Sequence, residues 1–335
     1  MISWKNKKMK ALTAALMMTL AMGALGCGGD NKAETGKDAK VSVGIVQLVE
    51  HAALDSANKG FVDGLAGKGF KEGQNITFDK QNAQADQSNL QNIAHRFVNN
   101  KVNLICAIAT PAAQTVANVT SDIPIVATAV TDYEAAKLIK SNDNPGTNVT
   151  GTSDMNPVKE QLELLLKIAP NAKSVGTIYC SSEVNSQLQV DMLKAVAKDK
   201  NIVIKEATVS TVNDIQQAAH SLVGEVDALY IPTDNVMASA VPTLISVTDE
   251  AKLPVIAGEG SMVKAGCLAT LGIDYYKLGV QTGEMAADIL SGKAKPETMA
   301  IQHQKEFKAT INTKAAEKIG LKLPEDVLKN AELVK

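Results

Sequence analysis

From residue 41 onward, short apolar runs alternate with longer stretches whose apolar positions recur every three or four residues. VSVGIVQL (41–48) reads as a strand, and residues 53–68 follow as a helix with Leu54, Ala57, Phe61 and Leu65 on one face. Residues 75–80 read as a strand and 88–99 as a helix. VNLICAIA (102–109) is a continuous apolar run of the kind buried on both faces of a parallel sheet. A short helix begins near Pro111, whose fixed φ suits a first helical turn, and IPIVATAV (123–130) is the next strand. A second series follows. It has helices over 157–169, 183–200, 212–223, 238–251 and 276–290, and strands over 174–180, 201–207, 227–232, 253–258 and 267–273. Strands alternating with helices of this length indicate βαβ units and parallel sheets.

The two series resemble each other. GIVQLVEHAALDSANKGFVDGL parallels GTIYCSSEVNSQLQVDMLKAV, and VNLICAIAT-PAAQTVANV parallels VDALYIPT-DNVMASAV. One half is therefore read as a structural copy of the other. The chain is expected to form two Rossmann-like α/β lobes with parallel sheets, joined by a hinge. Exchanges of chain are expected near residues 151–156, near 274–276 and again near 300–306. Lobe 1 then comprises residues 41–152 plus about 276–305, and lobe 2 comprises 153–275 plus about 306–335.

Ahead of the folded body, Lys5, Lys7, Lys8 and Lys10 precede an apolar run over 11–25 that ends in Ala24-Leu25-Gly26-Cys27. A basic start, an apolar run and small residues make a secretory signal, and the cysteine makes residues 1–26 resemble a lipoprotein signal with Cys27 as the lipidated residue. Each acyl CH₂ buried in a bilayer contributes ~0.8 kcal/mol, so several chains would anchor the protein firmly. The alternative is an ordinary cleaved signal with an incidental cysteine. The run is shorter than the roughly 20 residues a membrane-spanning helix needs. GGDNKAETGKDAK (28–40) lacks any large apolar residue, and 27–40 reads as a flexible tether.

Composition narrows the chemistry. A net charge of −2 gives no reason to expect nucleic acid as a partner. Arg96 is the only arginine and lies mid-helix, so an anionic group in a site would be held by backbone N–H groups, hydroxyls or lysine instead of the planar guanidinium fork. Cys106, Cys180 and Cys267 sit in or beside apolar runs without CxxC or metal spacing and read as buried small hydrophobes. The four histidines are scattered. No GxSxG, HExxH, P-loop or GxGxxG motif is present, so neither an enzyme, a cofactor nor a metal is expected.

In open α/β sheets ligands bind beyond the carboxyl ends of the strands, where helix N-termini offer free N–H groups. Two facing lobes would bring two such edges together. The candidates are the polar residues after each strand: Glu50 and His51, Thr110 with the backbone at Ala112, and Thr131 and Asp132 in lobe 1. In lobe 2 they are Glu183, Asn185, Ser186, Thr233, Asp234, Asn235 and Glu259, with Asp274 and Tyr275 at the junction. Taken singly, such Ser, Thr, Asp and Asn residues are also the preferred helix caps. Their convergence on one acidic edge suits a zwitterionic solute.

Several segments carry a family resemblance: EHAALDSANKGFVDGL (50–65), ATPAAQ (109–114), AVTDYEAAKLI (129–139), PGTNVTGTSDMNPVKEQLELL (145–165), YCSSEVNSQLQV (179–190), YIPTDN (230–235) and GIDYYKLGVQTGEMA (272–286). Through them, residues 41–315 resemble the ABC-transporter substrate-binding lipoproteins of the tryptophan/tyrosine type. That resemblance implies a type I periplasmic-binding fold and an exported, membrane-anchored monomer. It also implies capture of an amino acid, often aromatic, by hinge closure and delivery to a permease driven by an ATPase. On this reading Glu183, Asp234 or Asp274 holds the ammonium. Thr110, Asn185 and Ser186 hold the carboxylate, and Tyr133, Tyr275 or Leu48 walls the side chain. Tyr133 and Cys180 stand where the family usually has Pro and often has Asn. The alternatives are a receptor for a nucleoside or sugar, and a sensory ligand-binding module.

Overall fold

The computed structural model of the chain describes residues 40–329 and 331–335, and the leader, Cys27 and all of the tether but Lys40 lie outside them. In chain order the first set of elements is β1 (Val41–Gln47), α1 (Ala52–Gly67), β2 (Ile76–Asn82), α2 (Gln87–Asn99), β3 (Leu104–Ile108), α3 (Thr110–Val119), β4 (Ile125–Val130) and β5 (Val149–Ser153). The second set is α4 (Val158–Ile168), β6 (Ser174–Cys180), α5 (Val184–Asp199), β7 (Val203–Val209), α6 (Ile215–Leu222), β8 (Ala228–Ile231), α7 (Asn235–Ser239), α8 (Val241–Glu250), β9 (Val255–Ala257), α9 (Gly260–Lys264) and β10 (Ala269–Gly272). The chain closes with α10 (Tyr275–Leu290), β11 (Gln302–His303), β12 (Lys308–Asn312), α11 (Thr313–Lys318), α12 (Glu325–Leu328) and β13 (Glu332–Val334).

Two sheets form, one per lobe. Lobe 1 has the order β11-β5-β4-β3-β1-β2, and lobe 2 the order β13-β12-β10-β9-β8-β6-β7. Strands β1–β5 and β6–β10 occupy equivalent positions, so the internal likeness of the two series is a likeness of topology. In each lobe the first strand lies between the second and the third, which puts a switch point at its carboxyl end. β3 and β4 are buried on every residue, as continuous apolar runs require. The edge strands β2 and β7 are only partly buried and carry Lys80 and Lys205, charges that discourage further strand addition.

Among the described residues every strand pairing is parallel except β10 with β12. β12 enters lobe 2 directly from β11 of lobe 1 without a crossover helix, so nothing obliges it to run parallel. Besides this link, the chain passes between the sheets after β5 and again after β10. The stretch over 238–251 is two helices, because Pro242 in the first turn of α8 lacks the N–H that would continue α7. Residues 149–153 extend the lobe 1 sheet as β5, so 151–153 of the exchange expected near 151–156 belong to that strand.

α10 packs against α1 in lobe 1 with unusual closeness. A Cβ on Gly279 would stand 2.0 Å from the Ala57 carbonyl oxygen, and one on Gly60 2.2 Å from that of Tyr276. Only glycine permits that approach. Both helices start at the cleft, so this contact fixes the positions of Leu54 and Tyr275.

Candidate functional site

A narrow, largely buried pocket lies where the carboxyl edges of the two sheets face each other. Lobe 1 and the junction line it with His51, Leu54, Ala129, Thr131, Asp154 and Tyr275, and lobe 2 with Asn185, Thr233, Asp234, Asn235, Ala238 and Glu259. Three carboxylates contribute, and none of the lining residues is lysine or arginine. Beside it, a wider groove is bordered by Leu48, Glu50, Pro111, Cys180, Glu183 and Val236, among others.

The lobe 2 edge is a hydrogen-bonded platform. Asp234 is 1% exposed and caps α7, accepting from Met237 N at 2.9 Å through Oδ1. Its Oδ2 accepts from Cys180 N and from Ser186 Oγ, each at 2.7 Å. The carboxylate of Glu183 accepts from Asn235 Nδ2 at 2.6 Å, from Asn185 Nδ2 at 3.0 Å, and from the backbone N–H groups of Asn235 and Val236. Asn185 Nδ2 also reaches the Thr233 carbonyl at 3.0 Å, and Gln189 holds the Thr233 hydroxyl and N–H. Burial raises the affinity of both acids for protons. It pushes Glu183 up to about 8, helped by the charge of Asp234 nearby, and holds Asp234 above the ordinary carboxylate range despite its donors. Glu259 caps α9 through Met262 N at 3.0 Å.

The lobe 1 edge is sparser. His51 Nε2 lies 3.2 Å from Asn235 Oδ1, a direct bond across the cleft. Leu54 and Ala129 are apolar, and Ala129 is held at φ 54°, a conformation alanine adopts only under constraint. Ala109, just ahead of α3, stands at φ 88°. Asp154 lies immediately after β5. Thr131 Oγ1 donates to its Oδ1 at 3.0 Å, and Tyr275 Oη donates to its Oδ2 at 2.7 Å. Burial raises the Asp154 pKa, while these two donors oppose the rise.

Of the residues singled out in the sequence, His51, Thr131, Asn185, Thr233, Asp234, Asn235, Glu259 and Tyr275 line the narrow pocket. Glu183 stands behind Asn235 and borders the wider groove with Glu50. Ser186 is buried behind Asp234. Thr110 and Ala112 are buried at the start of α3, with the Thr110 hydroxyl unpartnered. Asp132 closes a turn by accepting from Ala135 N at 2.8 Å, Asp274 caps α10 by accepting from Lys277 N at 3.1 Å, and neither lines the narrow pocket. Tyr133 is no part of the cleft wall. It is fully buried within lobe 1, its hydroxyl 2.8 Å from the Ala127 carbonyl and 3.0 Å from that of Thr152. Arg96 pairs with Asp79 at 2.7 Å on the far side of α2. Cys106, Cys180 and Cys267 are buried and free.

Asp154 went unnoticed in the sequence because β5 did. VTGTS has no large apolar residue, and its strand conformation depends on Gly151 at φ 152°, where a Cβ would collide with the Ala127 carbonyl oxygen at 1.9 Å. The available signal was the rule that polar residues following a strand face the cleft. It needed the strand to be found first. Among the described residues no cluster of His, Cys, Asp and Glu is placed to hold a metal ion.

Relatives fit this architecture. A tyrosine-binding protein of Clostridioides difficile is 46% identical over 298 residues, 87% of this chain and 86% of that protein. A Streptococcus pneumoniae ABC domain solved in complex with L-Trp superposes with a TM-score of 0.85 at 38% identity, covering 88% of this chain and all of that one. The ligand-free, open structure of a substrate-binding protein with adhesive properties from Clostridium difficile superposes with a TM-score of 0.68 at 45% identity, covering 88% of this chain and 99% of that one. The family model for ABC transporter substrate-binding proteins matches residues 42–335, and the chain belongs to that family.

Proposed function

We propose that this protein captures an aromatic amino acid in the narrow pocket by closure of its lobes, and presents it to a membrane permease driven by an ATPase. The observation that carries the reading is the pocket itself, lined from both lobes by carboxylates and apolar groups and by no lysine or arginine. A primary ammonium is the natural counterpart of that lining. Asp154 is the best-placed acid, because each of its oxygens accepts a single donor and keeps a lone pair free. Asp234, with three donors, serves as the anchor of the platform. Leu54, Ala129, Ala238 and the ring of Tyr275 offer the apolar wall for a side chain.

Two comparisons support this reading. The tyrosine-binding relative and the L-Trp complex suggest an aromatic ligand. The more similar sequence gives the poorer superposition, and that structure is the open one. The lobes here are therefore set nearer to the ligand-bound arrangement, which supports hinge closure as the working motion. A captor without chemistry of its own must stay beside its permease. Export under the N-terminal signal, with lipidation at Cys27, would keep it there, and a single chain suffices to form the site.

A thermal-shift screen of the mature protein against all amino acids, several nucleosides and several sugars tests the ligand. L-Tyrosine or L-tryptophan should raise the unfolding temperature most. Stabilisation by a nucleoside or sugar alone would overturn the amino-acid reading. Palmitate labelling of whole cells tests the anchor, since Cys27→Ala should release the protein from the membrane.

A further inference from the structure

We propose that His51 couples the solute to lobe closure: its Nε2 bonds the opposite lobe while its Nδ1 accepts a hydrogen from the ligand's ammonium. The inference rests on the amino-acid reading above and specifies how the same pocket closes.

The tautomer follows from the neighbours. Asn235 gives its Nδ2 to the Glu183 carboxylate at 2.6 Å, so its Oδ1 is the atom turned toward His51 at 3.2 Å. An amide oxygen only accepts, so Nε2 carries a hydrogen, and it is the uncharged ring that then presents a lone pair at Nδ1. Nδ1 is buried without a partner in the protein. In lobe 2, Asn185 is in the same condition. Its Nδ2 is taken by Glu183 and the Thr233 carbonyl, and its Oδ1 is buried and unpartnered.

Both residues line the narrow pocket. The pocket therefore carries an unmatched acceptor from each lobe, and a buried acceptor left unmatched is destabilising. One solute group with several N–H donors relieves both. The surrounding Asp154, Asp234 and Glu259 favour a cation in that role. Among the described residues, His51 to Asn235 is also the one side-chain hydrogen bond between the lobes away from the chain crossings. A donor that fixes the His51 ring thereby fixes the bond that holds the lobes together.

The test is calorimetric titration of wild type and His51→Leu with L-tyrosine, L-phenylalanine, tyramine and 3-(4-hydroxyphenyl)propionate, the last lacking the amine. The variant should bind the two amino acids and tyramine about 10- to 100-fold more weakly, the range of a hydrogen bond to a charged group. Binding of the amine-free acid should change less than about threefold on that scale, or be undetectable in both proteins. Equal losses for amine-bearing and amine-free compounds would overturn the assignment, as would unchanged affinities. A loss for L-tyrosine without one for L-phenylalanine would give Nδ1 to the phenol and also overturn it. Should the variant not fold, small-angle scattering of wild type decides. Compaction by tyramine and none by the amine-free acid supports the coupling, and the reverse refutes it. If wild type bound none of L-tyrosine, L-phenylalanine and L-tryptophan, the amino-acid reading itself would fall, and this assignment with it.

Discussion

Lobe 2 meets the cleft with a dense network: Glu183, Asn185, Ser186, Gln189, Thr233, Asp234 and Asn235 hold one another and the start of α7, and of their side chains only Asn185 Oδ1 is left buried and unmatched. Lobe 1 meets it with His51, Leu54, Ala129 and Thr131, two of them apolar and one left with an unmatched nitrogen. The strand orders are equivalent, so the fold did not impose the difference. One edge is preorganised and asks little rearrangement of an arriving solute. The other completes its contacts only when the lobes meet, which is where differential affinity for the closed state must arise.

The contrast breaks most sharply at Asp234. Asp234→Ala leaves Cys180 N and Met237 N buried without acceptors, and each such loss costs roughly 1–3 kcal/mol. We expect a stability loss of about 2–4 kcal/mol in urea melts and amino-acid affinity lower by about 100-fold, since 1.4 kcal/mol is tenfold. Asp234→Asn keeps one acceptor oxygen for the cap but turns its amide N–H group toward Cys180 N, so it should lose about 1–3 kcal/mol, less than the alanine variant. If the alanine variant were as stable as wild type, lobe 2 would be no platform.

Next in size is Gly279→Ala. Its Cβ would press on the Ala57 carbonyl oxygen and force α10 off α1, at about 1–3 kcal/mol of stability. Because Leu54 and Tyr275 ride on these helices, affinity should fall severalfold as well. Unchanged affinity with lowered stability would mean that the lobe 1 wall tolerates displacement.

Acid titration gives a third test of the lobe 2 edge. Glu183 is raised from 4.5 to about 8, so between those values the folded protein binds a proton that the unfolded chain has released. Ligand-free stability should therefore be greatest below about pH 4.5 as far as this group is concerned, and decline as pH rises toward 8. Glu183→Gln should flatten that decline in thermal melts across pH 5–8. A slope that survives the substitution would place the titration elsewhere.

The amino-acid sequence makes the long, strongly periodic elements readable, and the duplication with them. β3 and α1 are legible because burial on both faces, or on one helical face, leaves no alternative pattern. β5, β11, β12 and β13 are not, because two to five residues cannot establish a period and their strand state is borrowed from neighbours already in place. In the site, the rule that polar residues follow strands locates the edge but not the direction of each side chain. Asp132 and Asp234 both accept from the backbone N–H three residues on, yet only Asp234 faces the pocket. Tyr133 turned inward because the Ala127 and Thr152 carbonyls accept its hydroxyl inside lobe 1. Such outcomes depend on contacts between segments far apart in the chain.

The smallest expected effect lies between the lobes. Tyr275 reaches Asp154, which ties the second crossing to the first. Gln304 ties the third to the second, its Oε1 accepting from Asp274 N at 3.2 Å and its Nε2 donating to Asp274 O at 2.6 Å. That pair of bonds is exposed and exchanges readily with water, so Gln304→Ala should cost less than about 1 kcal/mol of stability. Its consequence should appear in the balance of open and closed forms. The crossings would no longer turn as one unit, and an intermediate spread of lobe angles would become accessible. Small-angle scattering of the ligand-free variant should then give a broader distance distribution than wild type, with amino-acid affinity altered by no more than about fivefold, about 1 kcal/mol. A stability loss above about 2 kcal/mol would instead make Gln304 part of the folded framework, and the crossings would have to be counted with the preorganised lobe 2 edge.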